Sequence, residues 1–293
     1  MSDDAAPETG DVVRVILRAA ADAVRDTRDA ALADEDDGVH RHRTAVRRLR
    51  SVLAAFAPPL DPAAAARLRV LFAEWGGRLG VVRDAEVRAS SAAAALDDAG
   101  IEDAGIRRRL VDDERSEYRR LHARLGELAT GSRLAEADAL LREVVESPAL
   151  VGADDPASAV LRRILRDQAR RVRRAAKSLD GTIERLHAVR KAARRLRYVA
   201  EAIASASEPA DDRLTELAAA GESVHDLLGD HRDLLLFADG VERERARAAR
   251  AVEPVAPYDA LADGARLEAA ARLEALDGAL ERIRAAGKAL RRG

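Results

Sequence analysis

The sequence predicts an all-α fold built from two copies of one helical unit, and three observations lead to this prediction. Aromatic residues, which favour strands, make up only 2% of the 293 residues. Alanine, leucine, arginine and glutamate, which are strong helix formers, are abundant throughout the chain. A basic motif followed by a shorter motif occurs once in each half of the sequence. We therefore expect a helical core of leucine, valine, isoleucine and closely packed alanine.

Two pairs of matching segments indicate an internal duplication. Residues 40–50, with the sequence HRHRTAVRRLR, match residues 187–197, with the sequence HAVRKAARRLR, at an offset of 147. Residues 79–84, LGVVRD, match residues 228–233, LGDHRD, at an offset of 149. The two motifs keep their order, and both offsets are close to half of the chain length, so chance is a poor explanation.

The duplication predicts an N-terminal helical half at residues 1–150 and a C-terminal helical half at residues 151–293. Apolar periodicity, proline breaks and caps define the helices within each half. For example, Asp61 caps one helix and Pro62 occupies its first position. The predicted helices are residues 11–33, 39–56, 61–98, 102–128 and 135–146, then 157–179, 182–205, 211–250 and 258–290.

Positive charge is concentrated in two segments of an otherwise balanced chain. The 50 basic and 52 acidic residues give a net charge of -2, so the chain lacks the basic excess of general nucleic-acid binders. No acid lies between Asp37 and Asp61 or between Glu184 and Glu201, yet arginine and histidine are dense in both intervals. A segment of this kind is well suited to binding a polyanion.

On helices, each segment presents a basic stripe that borders an apolar face, because successive residues turn by about 100°. The first basic stripe consists of His40, Arg43, Arg47 and Arg50. The second basic stripe consists of His187, Arg190, Arg194 and Arg197. Arginine binds phosphate through two parallel charge-assisted hydrogen bonds, and histidine adds a donor whose charge depends on pH near neutrality. The stripes therefore predict binding of a phosphate polyanion.

The order of these motifs resembles that of the CHAD domain family, the conserved histidine α-helical domain. The resemblance rests on His-x-x-Arg-x-x-x-Arg-Arg-Leu-Arg, then Leu-Gly-x-x-Arg-Asp, then a second copy of the first motif that ends in Tyr198. It covers nearly the whole chain. It implies two four-helix bundles related by a pseudo-two-fold axis, with a central basic groove that binds inorganic polyphosphate. It also implies association with polyphosphate granules.

The resemblance extends the set of candidate polyphosphate ligands beyond the two basic stripes. Arg83 and Arg232 match the arginine of the Leu-Gly-x-x-Arg-Asp motif. Arg48 and Arg195 match further basic positions, but the helical wheel turns them away from the stripes, so we rank them second. CHAD domains are often fused to a triphosphate-tunnel domain, whose Glu-x-Glu-x-Lys motif we do not find here. We therefore expect a stand-alone, non-catalytic binding module.

Composition and motifs also limit the chemistry and the location of the protein. The chain has no cysteine, which excludes disulfides, thiolate metal sites and cysteine nucleophiles. No phosphate-binding glycine loop, nucleophile elbow or zinc signature is present, so we expect neither a cofactor nor a metal. Residues 1–10 lack the features of a signal peptide, and no apolar run approaches the roughly 20 residues of a membrane span. These features predict a cytoplasmic protein that does not associate with membranes.

Three alternatives stay open on the sequence alone. Acids on neighbouring helices, such as Glu74, Asp84, Glu222 or Asp233, could pair with the stripe arginines. An enzyme acting on polyphosphate or phosphate esters would need carboxylates placed to hold Mg²⁺, and the stripes contain none. A non-specific nucleic-acid binder could use phosphate contacts, although the chain offers few aromatic rings for base stacking.

Overall fold

A computed structural model describes residues 7–207 and 211–290, and within these ranges the protein is a succession of α-helices without a β-strand. This confirms the predicted all-α class. The helices are α1 (Thr9–Asp26), α2 (Arg28–Leu32), α3 (Gly38–Ala55), α4 (Pro62–Asp98), α5 (Ala104–Arg107), α6 (Asp113–Ala129), α7 (Ser132–Glu146), α8 (Ala157–Lys177), α9 (Ile183–Ser205), α10 (Asp212–Arg250), α11 (Ala256–Leu273) and α12 (Leu276–Ala289). A π-helical turn at Arg108–Asp112 joins α5 to α6.

The observed helices agree closely with the predicted ones, with three interruptions that the sequence does not predict. The π-helical turn at Arg108–Asp112 divides the helix predicted at residues 102–128. The first predicted helix, residues 11–33, is divided at Thr27, whose Oγ1 donates a hydrogen bond to the carbonyl of Ala23 (2.7 Å). Such a bond from the side chain to the preceding turn competes with the helical pattern. The last predicted helix, residues 258–290, is divided between α11 and α12.

The turn before α3 determines where the first basic stripe begins. Asp34 and Asp37 have φ angles of 57° and 54°, a left-handed conformation that aspartate tolerates better than most residues. A Cβ atom at Gly38 would lie 2.5 Å from the carbonyl oxygen of Ala30. The chain therefore needs glycine at the first position of α3, where it passes against the end of α2.

The chain divides into two compact units, and each unit takes segments from both halves of the sequence. The larger unit comprises the described residues of Met1–Gly77, Leu128–His225 and Gly278–Gly293, and the smaller one comprises Arg78–Glu127 and Asp226–Asp277. The boundaries fall inside α4 and α10, so these two long helices contribute to both units. The duplicated halves and their pseudo-two-fold relation remain predictions from the sequence.

In the larger unit, α3 and α9 pack side by side, with α1 against α3 and α8 against α9. The apolar face predicted for each stripe helix is buried. On α3 its residues are Val39, Val46, Leu49 and Leu53, and on α9 they are Leu186, Val189, Leu196 and Ile203. Each such side chain contributes about 1.5–3 kcal/mol on burial. This burial fixes the rotation of both helices and with it the direction of the basic stripes.

The smaller unit has its own apolar core, formed by the second parts of α4 and α10 with α5, α11 and the π-helical turn. Its largest fully buried side chain is Tyr258 on α11. An ion pair between Arg109 and Glu253 (2.6 Å) lies beside it.

None of the described helices combines the length and apolar character that a membrane-spanning segment requires.

Candidate anion-binding cleft

A cleft of about 820 Å³ opens in the larger unit between α3, α4, α8 and α9. We call it the basic cleft, because seven basic side chains line it. These are Arg47, Arg50, Arg69, Arg171, Lys191, Arg194 and Arg195. The lining includes a single acid, Glu74, which is already paired with Arg133 (2.8 Å) outside the cleft. The walls thus carry a large excess of positive charge in a chain whose net charge is -2.

The cleft cations lack internal counterions. In the part of the chain that the structure describes, none of the seven forms an ion pair with a carboxylate. Arg47 donates a hydrogen bond from Nη2 to Thr44 Oγ1 (3.1 Å), and its buried Nε has no hydrogen-bond partner. Most arginines elsewhere on the helices do have acidic partners. For example, Arg14 pairs with Asp11 (2.8 Å) and Arg120 with Glu117 (2.6 Å), in each case three residues apart.

Burial and mutual repulsion lower the pKa of three arginines in the cleft, Arg194, Arg195 and Arg50. Burial and the charges of Arg47, Arg190 and Arg43, offset in part by Tyr198, lower the pKa of Arg194 to about 10. With this pKa, Arg194 remains protonated at neutral pH.

Two further cleft arginines show the same effect. Burial and then the charges of Arg171 and Arg69 lower the pKa of Arg195 to about 10. Burial and then Arg69 lower the pKa of Arg50. The cleft therefore holds several positive charges whose mutual repulsion a bound anion would relieve.

The structure brings together part of each predicted stripe. Arg47 and Arg50 of the first stripe and Arg194 of the second line the basic cleft. Arg43 and Arg190 do not line it, although both are near enough to lower the pKa of Arg194. Arg190 Nε donates a hydrogen bond to the backbone carbonyl of His225 (3.4 Å). His40 is half-buried on α3 and His187 is exposed on α9, and neither forms part of the cleft wall.

Arg195 differs from its predicted orientation. The helical wheel turned it away from the second stripe, whereas the structure places it on the cleft wall. The reason is that α9 presents Lys191, Arg194 and Arg195 to the cleft, which are positions i, i+3 and i+4 on one helical face. The face that α9 turns toward the cleft is therefore rotated relative to the stripe read from the sequence.

Arg197 and Arg48 lie in an ion-pair cluster and do not line the basic cleft. Arg197 donates from Nε to Glu201 Oε1 (2.7 Å) and forms an ion pair with Glu222 (2.6 Å). Arg48 Nη2 donates to Glu201 Oε2 (2.5 Å). The guanidinium carbons of Arg48 and Arg197 lie 5.4 Å and 5.7 Å from the ring centre of Tyr198. We call these five residues the Glu201 cluster, and in it the alternative of pairing with neighbouring acids holds for Arg197.

The candidates from the shorter motif lie in the smaller unit. Arg83 forms an ion pair with Glu86 (2.8 Å), and Arg232 forms a longer one with Asp233 (3.7 Å). Both arginines therefore have acidic partners within three residues on the same helix. Neither belongs to the wall of the basic cleft.

Three lining residues were not predicted from the sequence to belong to the site. Arg69 lies on α4 and Arg171 on α8, outside both copies of the basic motif, and no local pattern distinguishes them from ordinary surface arginines. Lys191 lies within the second motif, but at a position where the first copy has Thr44. Only the packing of the helices brings these residues together.

His42 has a structural role next to the first stripe. It is fully buried, and Trp75 Nε1 donates a hydrogen bond to its Nε2 (2.8 Å). Its Nδ1 must therefore carry the proton and donate to Thr27 Oγ1 (3.0 Å). Burial, and then the charge of Arg28, lower the pKa of His42 to about 4, so the ring is neutral at pH 7. This network joins the end of α1 to α3 and α4.

Among the described residues, no group of three or more histidine, aspartate and glutamate side chains is arranged to hold a metal ion.

Comparison with known proteins finds one matching family model and related sequences. The family model described as CHAD domain matches residues 15–242. Two uncharacterized proteins of Mycobacterium tuberculosis, from strains CDC 1551 and H37Rv, are each 30% identical over 275 residues, which cover 87% of this chain and 51% of theirs. The chain thus spans about half the length of the curated relatives it matches.

Two solved structures share the fold at low sequence identity. The crystal structure of the CHAD domain from the plant Ricinus communis aligns with a TM-score of 0.70 and 22% identity, covering 99% of this chain and 94% of that one. PptA from Streptomyces chartreusis aligns with a TM-score of 0.67 and 22% identity, covering 96% and 99%.

Proposed function

Because the chain belongs to the CHAD domain family, which is linked in general to polyphosphate binding, we propose that its basic cleft binds inorganic polyphosphate without cleaving it. One observation carries the proposal: seven basic side chains line a single cleft, and none forms an ion pair with a described carboxylate. Polyphosphate is a linear polyanion with a charge on every unit, so its charge density suits such a wall. The bound anion would supply the counterions that the protein itself lacks.

The affinity would come from many arginine contacts acting together. Each guanidinium offers two parallel donors to phosphate oxygens, and the resulting hydrogen bonds are charge-assisted. Binding would also release the small ions condensed on the polyphosphate chain, as it does for nucleic acids. The affinity should therefore fall steeply as salt concentration rises.

The composition of the cleft favours binding over catalysis. An enzyme that cleaves polyphosphate would use carboxylates to hold Mg²⁺ against the reacting phosphates. The single carboxylate in the lining, Glu74, already forms an ion pair with Arg133. The lining also contains no histidine or aromatic residue, so the cleft offers no stacking surface for nucleic-acid bases. We therefore expect long-chain polyphosphate to compete effectively against DNA of equal charge.

The experiment that tests this function measures binding of long-chain polyphosphate at about 50 mM and about 200 mM salt. We expect the parent to bind tightly and lose affinity strongly at the higher salt. The Arg47→Glu/Arg194→Glu variant should lose binding at both while keeping its helical circular dichroism.

A matched control is Arg18→Glu/Arg163→Glu, which reverses two exposed charges in the same unit outside the cleft lining. It changes the net charge equally and should bind nearly as the parent does. If the parent does not bind, or if both double variants lose the same affinity, the proposal is wrong. Phosphate release that requires magnesium would instead indicate an enzyme.

Binding of this kind would place the protein at polyphosphate granules in the cytoplasm. The test is the distribution of a fluorescent fusion in cells that accumulate polyphosphate. The parent should co-localise with the granules, whereas Arg47→Glu/Arg194→Glu should spread evenly. Granule association that survives in this variant would show that another surface is responsible.

A further inference from the structure

The two copies of the basic motif differ at a position that determines the charge beside the arginines. With the offset of 147, Arg50 of the first copy corresponds to Arg197 of the second. By the same offset, Ala54 corresponds to Glu201. One copy therefore places a methyl group where the other places a carboxylate, four residues after an equivalent arginine.

This difference coincides with opposite environments for the arginines. Arg50 and Ala54 line the basic cleft together with Arg195. Arg48 is the counterpart of Arg195 at the same offset, and with Arg197 it is held by Glu201 in the Glu201 cluster. Equivalent arginines thus face an open cleft on one side and an internal carboxylate on the other.

The pKa values follow the same division. Burial lowers the pKa of Arg50, and no carboxylate compensates for it. Burial also lowers the pKa of Arg197, but the hydrogen bond to Glu201 and the charges of Glu201 and Glu222 outweigh it, so the net pKa is raised. The Glu201 carboxylate satisfies Arg197 as a bound anion would.

We propose that Arg48 and Arg197 form a second phosphate-binding site, which Glu201 closes by occupying it with its own carboxylate. The two oxygens of Glu201 each accept a hydrogen bond from a different guanidinium, at 2.7 Å from Arg197 and 2.5 Å from Arg48. A phosphate group can bridge two arginines in the same way. The ligand class, polyphosphate, rests on the proposed function of the basic cleft.

The site is accessible enough for an external anion to compete. The side chains of Arg48 and Glu222 are 41% and 45% exposed, whereas those of Arg197 and Glu201 are 21% and 24% exposed, so an anion would enter from the side of Arg48 and Glu222. Tyr198 lies beneath both guanidiniums and fixes their planes through cation–π contacts. Glu201 competes from within the same helix at a high effective concentration. Removing its carboxylate should therefore release Arg48 and leave Arg197 with the more exposed Glu222 as its acidic partner, so an external phosphate can bridge the two arginines.

The test compares Glu201→Ala, which copies Ala54 of the first motif, with Glu216→Ala. Glu216 is an exposed glutamate of α10, also in the larger unit, and it has no ion pair among the described residues. Both variants lose one negative charge, so the comparison holds the net charge of the protein constant. We expect Glu201→Ala to bind long-chain polyphosphate about tenfold tighter than Glu216→Ala, the effect of one additional charge-assisted contact.

The gain should disappear in the triple variant Glu201→Ala/Arg48→Ala/Arg197→Ala. The dependence of affinity on salt should also steepen in Glu201→Ala by about one to two released ions, and not in Glu216→Ala. If Glu201→Ala does not fold, Glu201→Gln removes the charge while keeping an acceptor oxygen, and the same gain is expected in the same comparison.

The outcomes separate this proposal from the proposed function. A parent that binds, with equal affinities for Glu201→Ala and Glu216→Ala, overturns the second site and leaves the function of the basic cleft intact. A parent that does not bind polyphosphate overturns the proposed function. In that case, binding gained in Glu201→Ala alone would support the second site, and no binding by either would overturn it.

Discussion

His42 shows how a histidine inside a basic motif can serve the fold instead of the ligand. Trp75 can only donate a hydrogen bond, so it fixes which ring nitrogen of His42 carries the proton. A protonated ring would lose this bond and would place a second charge near Arg28 in a buried position. The stability of the protein should therefore depend on the titration of His42.

The free energy of unfolding should fall in acid as His42 titrates. The pKa of His42 is about 4 in the folded protein and 6.5 when the chain is unfolded. Protons thus bind the unfolded state more readily. The contribution of neutral His42 to the free energy of unfolding is complete above pH 6.5. It falls by about 3 kcal/mol as the pH drops from 6.5 to 4. Urea denaturation at pH 7, 5.5 and 4.5 measures this loss.

The variant His42→Gln provides the comparison, because glutamine can accept from Trp75 but does not titrate. It should be less stable than the parent at pH 7 and should lose less stability on acidification. Parallel losses in parent and variant would mean that His42 is not the titrating group.

The affinity for polyphosphate should also depend on pH. Arg194 and Arg195 have pKa values of about 10, so both stay charged between pH 6 and pH 8. A change in affinity over that range would therefore come from groups other than these arginines, and His40 and His187 are the candidates that the sequence names, because histidine can change its charge near neutral pH. We expect tighter polyphosphate binding at pH 6 than at pH 8 in the parent. His40→Gln/His187→Gln should bind equally at both, and an unchanged difference would exclude these histidines.

At the scale of the helices, the sequence predicts most of what is local. The bounds of α3, α4 and α9 follow from a glycine turn, a proline at the first helical position and apolar periodicity. Each of these signals acts over a few residues. The break at Thr27 was not predictable, because Thr27 also accepts a hydrogen bond from His42, a contact between distant parts of the chain.

The candidate site was predictable only in part, because it also depends on contacts between distant parts of the chain. Helical angles place Arg47 and Arg194 correctly beside the apolar faces. They do not determine which neighbouring helix faces each arginine. Arg195 therefore reaches the cleft against expectation, and Arg69 and Arg171 join it without any signal in the sequence. Arg197 meets Glu222 of α10, an acid named beforehand as a possible partner.

The turn before α3 gives a prediction about packing. In Gly38→Ala the new Cβ would overlap the carbonyl of Ala30, and relief of that overlap should cost about 1–3 kcal/mol. Gly77→Ala is the matched control, since nothing lies within 4 Å of the position and it is inside α4. That substitution should stabilise the protein by about 0.5–1 kcal/mol. Urea denaturation of both variants tests the sign, and equal effects would contradict the account.

At the scale of the whole molecule, the net charge of -2 conceals an uneven distribution. Many arginines pair with acids three or four residues away, as Arg284 does with Glu281 and Arg272 with Glu268. The seven cations of the basic cleft have no such partners among the described residues. The net charge alone therefore does not show that positive charge is concentrated in the basic cleft.

This distribution predicts that anions stabilise the protein specifically. A ligand that binds only the folded state at about 100 times its dissociation constant adds about 2.7 kcal/mol, or several degrees in melting temperature for a chain of this size. Polyphosphate should raise the melting temperature more than chloride does at equal ionic strength. Arg47→Glu/Arg194→Glu should lose this difference. A variant that responds like the parent would show that the stabilising site lies elsewhere.

The most direct test of the central claim is an experimental structure of the protein bound to a short polyphosphate chain. We expect phosphate oxygens within about 2.7–2.9 Å of the guanidinium nitrogens of Arg47, Arg194 and Arg195. The chain should follow the basic cleft between α3 and α9. Phosphates bound outside the cleft, with these three side chains still without an anion, would contradict the account.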